Sequence, residues 1–219
     1  MTNQIAIIDP FVKSPAIQCF NNLVNLLEIR ATYHVPALLG LDSLISESLN
    51  TQAYIVLGSA SHVHENLNWH RPLADFLISE LHKNKPILGC CFGHQLICHA
   101  FGAKVEYYKD EATKLSGGRE ITVSEDFWNF TRGEKFYLGV THKQVVKNLP
   151  ECLNEVGVGL SNDIVIHKTL PFMGTQAHPE ASLSFCNSDI KDLTSEEISK
   201  LQKGGGELIK KFFRHFELI

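Results

Sequence analysis

The chain has 219 residues, 44% of them hydrophobic and 20% charged, an ordinary globular composition with enough length for one substantial core. A formal net charge of -4 gives no electrostatic reason to hold phosphate backbones or anionic lipid, so nucleic acid and membrane surfaces are not expected partners. No apolar run reaches the about 18 residues of a membrane span, and Met1 to Pro10 lacks the marks of a secretory signal, so a cytoplasmic protein is expected.

Short Ile- and Val-rich runs alternate with stretches of helical period, the pattern of a parallel sheet covered by helices on both faces. Gln4 to Asp9 reads as the first strand. Ile17 to Ile29 reads as a helix entered through Ser14-Pro15, Ala31 to Val35 as a strand, and Leu41 to Leu49 as a short helix. Ala53 to Leu57 is a buried-strand run ending at Gly58, followed by a polar, histidine-containing loop from Ser59 to Asn68 and a helix from Trp69 to His82. Pro86 to Cys90 is another strand, and Gln95 to Phe101 a helix stopped by Gly102.

Past that point the spacing changes. Lys104 to Tyr108, Glu120 to Val123, Lys135 to Val140 and Asp163 to Lys168 read as turn-punctuated strands of an antiparallel or mixed portion, with Gly117-Gly118 in a turn between them. Phe172 to Ala177 is one more strand. Ser195 to Phe216 reads as a closing helix interrupted at Gly204-Gly205-Gly206, and its apolar positions suit an ordinary packing helix better than a membrane-surface or partner-binding one.

The strongest chemical signal is Gly89-Cys90-Cys91-Phe92-Gly93, between a predicted strand and a predicted helix. A nucleophile on a sharp strand-to-helix turn needs room for close chain approach, and glycines two positions to either side select Cys91 as the apex. Unpaired N–H groups and the dipole at the helix start favour a thiolate there, and the Phe92 N–H can help hold an oxyanion. A second signal is His178-Pro179-Glu180 at the end of the last strand. Residues two apart in extended chain point to one side, so Glu180 can hold the far ring nitrogen of His178 and fix its tautomer. The other five cysteines, Cys19, Cys90, Cys98, Cys152 and Cys186, are expected to be thiols, and with no Cys-x-x-Cys pair no structural metal site is expected.

Gly89-Cys90-Cys91-Phe92-Gly93-His94-Gln95 and His178-Pro179-Glu180 together resemble the nucleophile and triad signatures of the class I (triad) glutamine amidotransferase family, including its GMP synthetase glutaminase-like and gamma-glutamyl peptidase-like stand-alone domains. The likeness runs roughly from Ile5 to Glu180. It implies a flavodoxin-like, doubly wound, mostly parallel sheet in a three-layer α/β/α domain, with an added antiparallel portion. On this reading residues 1–219 form a single domain with a helical extension over 195–216. It also implies glutamine hydrolysis through a thioester without a cofactor, with Cys91 as nucleophile, His178 as general base and Glu180 as its orienter. Gly58 and Phe92 would be the oxyanion donors, and Gln95, Thr141, His142, Lys143 and Gln144 the substrate contacts.

Two departures stand out. Gly58-Ser59-Ala60 occupies the place where the family usually has Gly-Gly-Pro, and Thr141-His142-Lys143-Gln144 the place where many members have Ser-His-Gly-Asp. The chain carries no Gly-x-x-x-x-Gly-Lys-Ser/Thr loop, so a separate ammonia-accepting synthase subunit is an expected partner unless the enzyme is a plain hydrolase. Gamma-glutamyl peptidase or hydrolase activity is the nearest alternative. Metal binding through His62, His64 and His70, and a non-catalytic binding module, are the alternatives of other classes.

Overall fold

The computed structural model describes residues 4–219; Met1 to Asn3, part of the segment read for a secretory signal, lie outside the described residues. Strand β1 (Gln4–Ile8) leads through helix α1 (Ile17–Leu27) to β2 (Arg30–His34). Two short helices, α2 (Pro36–Leu39) and α3 (Asp42–Glu47), then precede β3 (Ala53–Val56). A 3-10 turn at Val63–Glu65 interrupts the segment expected to be a plain loop, and α4 (His70–His82) follows. Strand β4 (Ile87–Cys90) runs straight into α5 (Phe92–Ala100).

The second half supplies β5 (Lys104–Tyr107), β6 (Leu115–Val123), β7 (Lys135–His142) and β8 (Gln144–Lys147). Strands β9 (Leu153–Val158), β10 (Asn162–His167) and β11 (Phe172–Thr175) follow, and helices α6 (Leu183–Asp189) and α7 (Ser195–His215) close the chain. The main sheet has the order β2-β1-β3-β4-β11-β10-β9-β6-β7, with β5 and β8 forming a separate antiparallel pair. The first five strands are mutually parallel in the flavodoxin-like order, and the remaining four are joined antiparallel. This is the doubly wound α/β architecture with an antiparallel addition that the sequence predicts.

Alternation along the parallel strands builds two cores. Ile5, Ile7, Ile55 and Leu88 face α1 and the Leu208, Ile209, Phe212 and Phe213 face of α7, whereas Ala6, Ile8, Tyr54 and Val56 face α4 and α5. Each such fully buried aliphatic side chain contributes about 2 kcal/mol. The apolar face of α7 is thus consumed by the core, as an ordinary packing helix requires. Among the described residues no helix is long and apolar enough to cross a membrane.

Three expectations are corrected. Gly204-Gly205-Gly206 does not interrupt α7: a Cβ at Gly204 would stand 2.6 Å from the Tyr137 carbonyl oxygen, and one at Gly205 would overlap the Pro179 carbonyl oxygen. These glycines let the helix lie against β7 and the His178-Pro179-Glu180 turn, and packing overrides their weak helix propensity. Gly117-Gly118 is not a turn but lies inside β6, where the bare backbone of Gly118 leaves space that the Tyr137 ring occupies. Helix α5 begins at Phe92 rather than Gln95, directly after the elbow.

The end of the sheet away from the strand carboxyl ends is locked by a buried carboxylate. Glu80, 1% exposed, accepts from Tyr54 Oη, Lys83 Nζ and Lys85 Nζ, each at 2.6 Å. Burial opposes its charge, but the three donors outweigh burial and lower its pKa. The stability it contributes is therefore present above the ordinary glutamate value of 4.5 and is lost as pH falls through the depressed one. Glu80→Ala is expected to cost about 3 kcal/mol, read as a fall in the denaturant midpoint at pH 7. A wild-type midpoint in that variant would show the cluster to be neutral.

Candidate active site

Four segments converge beyond the carboxyl ends of β1, β3, β4 and β11, where open parallel sheets gather their ligands. From β4 and α5 comes Cys91, at φ 46° and ψ -99°, a left-handed conformation that a non-glycine residue adopts only under constraint. Its N–H donates to the Thr175 carbonyl at 2.8 Å, and the Gln95 N–H donates to the Cys91 carbonyl at 3.0 Å, so both sides of the strained residue are held. The flanking glycines allow the approach: a Cβ at Gly93 would stand 2.5 Å from the Val56 carbonyl oxygen, and one at Gly89 would stand 2.8 Å from the Gly93 carbonyl carbon. Cys90, by contrast, is 0% exposed in the core that faces α1 and α7, and burial raises its thiol pKa well above the usual cysteine value, with the Glu180 charge adding to the effect.

From the end of β11 comes His178, whose N–H donates to the Gly139 carbonyl at 2.8 Å. Its Nδ1 lies 2.9 Å from Glu180 Oε1, and both side chains are almost fully buried. The far nitrogen, Nε2, is buried and bonded to no described residue. Burial alone would lower the His178 pKa, yet the charges of Cys91 and Glu180 outweigh it and raise the value to about 10. Phe185 of α6 lies over the ring at a 4.8 Å centroid distance, and Ser182 caps that helix by accepting the Phe185 N–H at 3.2 Å.

Gly58, just past β3, sits where the two groups meet. A Cβ there would stand 2.5 Å from His178 Cε1 and 3.5 Å from Cys91 Cβ, so the cysteine and histidine converge over its bare α-carbon. Among the described residues the N–H groups of Gly58 and Phe92 carry no hydrogen bond, and Cys91 provides no side-chain cap for α5. One of these free donors is on the residue next to Cys91 and the other on the residue over which Cys91 and His178 converge.

Behind Cys91 lies a glutamine cluster. Gln95 Nε2 donates to the Gln144 carbonyl at 2.9 Å and to Gln176 Oε1 at 3.2 Å, and Gln176 Nε2 reaches Cys91 Sγ at 3.7 Å. Sequence reasoning passed over Gln176 as a site residue, although its place two residues before His178 put it on the same strand face. His142 Nδ1 is held by the Gln144 carbonyl at 2.9 Å, leaving Nε2 unpartnered, and burial lowers its pKa to about 4. Thr141 Oγ1 donates to the Asp189 carbonyl at 2.9 Å. Lys143, half-buried between β7 and β8, forms no ion pair with a described residue and is not drawn into the cluster.

A cavity of about 360 Å³ opens on the other side of His178 and Glu180, walled by the loop after β1, the loop after Gly58, and α6. Asp9, which sequence reasoning treated only as a strand end, is part of its lining. Asp9 Oδ2 accepts from the Ala16 N–H at 2.6 Å and from Tyr33 Oη, while Oδ1 is buried without a partner. Burial raises its pKa.

His62, His64 and His70 are not brought together. His70 pairs with Ser61 Oγ at 3.0 Å, His64 with the Val105 carbonyl, and His62 packs on the Tyr107 ring. Among the described residues no group of three or more His, Cys, Asp or Glu side chains is arranged to hold a metal ion.

A strained cysteine at a strand-to-helix turn, beside a buried His–Glu pair on a doubly wound sheet, defines a class of protein. Residues 27–191 match the family model described as glutamine amidotransferase class-I, and the chain belongs to that family. It is 31% identical over 158 residues to the glutamine-hydrolyzing GMP synthase of Thermosipho melanesiensis, covering 71% of this chain and 29% of that one. It is 31% identical over 132 residues to anthranilate synthase component 2 of Methanocaldococcus jannaschii, covering 58% and 60%. The chain thus spans less than two thirds of the length of either relative. The solved structure of a glutamine amidotransferase from Methylobacillus flagellatus superposes with a TM-score of 0.78 over 98% of this chain and 96% of that one, at 15% identity, a likeness of fold.

Proposed function

We propose that this chain carries a cysteine amidohydrolase site that opens the side-chain amide of glutamine through a glutamyl thioester. The observation that carries the reading is the strained Cys91 at φ 46° beside a histidine whose Nδ1 is held 2.9 Å from a buried carboxylate. Cys91 gives its proton to His178 Nε2, and the thiolate attacks the amide carbon. Negative charge on the carbonyl oxygen is met by the Gly58 and Phe92 N–H groups. As the intermediate collapses the C–N bond breaks, the His178 proton goes to the leaving nitrogen, and ammonia departs. His178 then takes a proton from water, whose hydroxyl attacks the thioester to give glutamate and restore the thiol.

Glu180 holds the imidazole in the tautomer that points Nε2 at the sulfur and stabilises the imidazolium that forms. Gln95, His142 and Gln144 form the side of the site where the glutamyl chain would lie, and Thr141 and Lys143 flank it. Relatives named as a component, such as anthranilate synthase component 2, support the reading that the ammonia passes to a separate synthase partner.

A pH profile tests the pair. Because the His178 pKa is raised above the ordinary 6.5, its protonation adds stability that is fully present below that value and lost as pH rises through the raised one. Activity that depends on the thiolate–imidazolium pair should therefore persist through neutral pH and fall on the alkaline side as His178 loses its proton. Glu180→Gln is expected to move that alkaline limb down by about one to three pH units, measured as ammonia release from glutamine. An unmoved limb would remove Glu180 from the assignment, and no ammonia from the wild-type chain at any pH would remove glutamine.

A further inference from the structure

We infer that Gln176 is a further catalytic residue, whose side-chain N–H donates to the Cys91 sulfur and favours its ionised form. This rests on the proposed role of Cys91 as nucleophile, and it adds to the His178–Glu180 pair a donor that does not titrate.

The orientation of the Gln176 amide follows from its neighbours. A backbone carbonyl can only accept, so the end of the Gln95 side chain that lies 2.9 Å from the Gln144 carbonyl must be its amino group. That same nitrogen lies 3.2 Å from the Gln176 side chain, so the end of Gln176 that faces it must be the oxygen. The amino end of Gln176 is thereby turned to Cys91 Sγ, 3.7 Å away. A flipped amide would set two amino groups against each other and bring an oxygen to the sulfur, where it would repel a thiolate. In this chain of bonds Gln95 is a positioning residue.

Burial gives the contact its weight. Gln176 is 0% exposed, and among the described residues the sulfur is the one partner of its Nε2. A thiol is a weak acceptor and an ionised group a strong one, so a buried amide donor is satisfied best when Cys91 is a thiolate. The main chain sets the spacing. The Cys91 N–H donates to the carbonyl of Thr175, next to Gln176, at 2.8 Å, and the Gln176 N–H donates to the Asp163 carbonyl at 2.9 Å. Asp163 is itself fixed by a buried ion pair with Arg119 at 2.8 Å. The sulfur and the amide are thus carried on two strand ends that are bonded to each other.

The test is the pH dependence of Cys91 alkylation by iodoacetamide, read by peptide mass spectrometry on the whole chain without glutamine. The titratable groups that act on Cys91 are His178 from the turn after β11, with Glu180 behind it, and Cys90 from β4. Gln176→Met removes the donor and leaves all three in place. The midpoint of the alkylation profile is expected to rise by about one pH unit in Gln176→Met. It should rise by a smaller amount in Gln95→Met, which frees the Gln176 amide to turn. Slower alkylation at every pH with an unmoved midpoint would mean that Gln176 only supports the fold around the elbow, which overturns the inference and leaves Cys91 as the nucleophile. Should Gln176→Met fail to fold, the midpoint in Gln95→Met decides by the same rule. Alkylation of Cys90 in place of Cys91 in the wild-type chain would remove the assignment of the nucleophile and the inference with it.

Discussion

Cys91→Ser is expected to reduce glutamine hydrolysis by about 10⁴-fold or more, while Cys90→Ser keeps most of it. The two sulfurs are neighbours in sequence but not in environment. Cys91 sits at the strained apex with free N–H donors beside it and the imidazole converging on it over Gly58. Cys90 points into the core facing α1 and α7, and burial holds it as a neutral thiol. A serine hydroxyl at Cys91 has a far higher pKa than a thiol and cannot form the same ion pair with His178. Steady-state ammonia release from both purified variants checks this, and equal losses would mean that the apex has been assigned to the wrong residue.

Gly205→Ala is expected to lower kcat about 100-fold although α7 supplies no reacting group. The added methyl would overlap the Pro179 carbonyl oxygen, so either the helix or the turn carrying His178 and Glu180 must move. A displacement of about 1 Å at a reacting group costs on the order of 10²-fold, and the strained packing costs about 1 to 3 kcal/mol of stability. Gly206→Ala is the control. Its Cβ would meet only the mobile end of Leu26, 3.2 Å away, and alanine suits a helix interior, so this variant should keep wild-type activity and stability. Full activity in Gly205→Ala would show that the turn is not set by α7.

Much of the site was legible because its signals are local. The glycine spacing around Cys91 and the two-residue offset of His178 and Glu180 encode a turn and a shared face, and both geometries recur in the fold. The parallel half was legible for a similar reason, since buried strands such as Ala53–Val56 and Ile87–Cys90 are short apolar runs between helices. What escaped depends on partners distant in sequence. Gly204 to Gly206 read as a helix break because Gly204 and Gly205 admit Tyr137 and Pro179, residues that no local pattern links to them. Helix α6 was missed because it is one short stretch whose Phe185 gains its meaning only by covering His178. Asp9 and Gln176 were read as strand residues, and only the assembled sheet brings them to the cavity and to the sulfur.

The most direct test is to treat the purified chain with an electrophilic glutamine analogue and map the covalent adduct by peptide mass spectrometry. A single glutamyl-analogue mass on Cys91, lost in Cys91→Ser and unaffected by Cys90→Ser, is the predicted result. Labelling of Cys90, or of no cysteine, would contradict the assignment of the attacking sulfur.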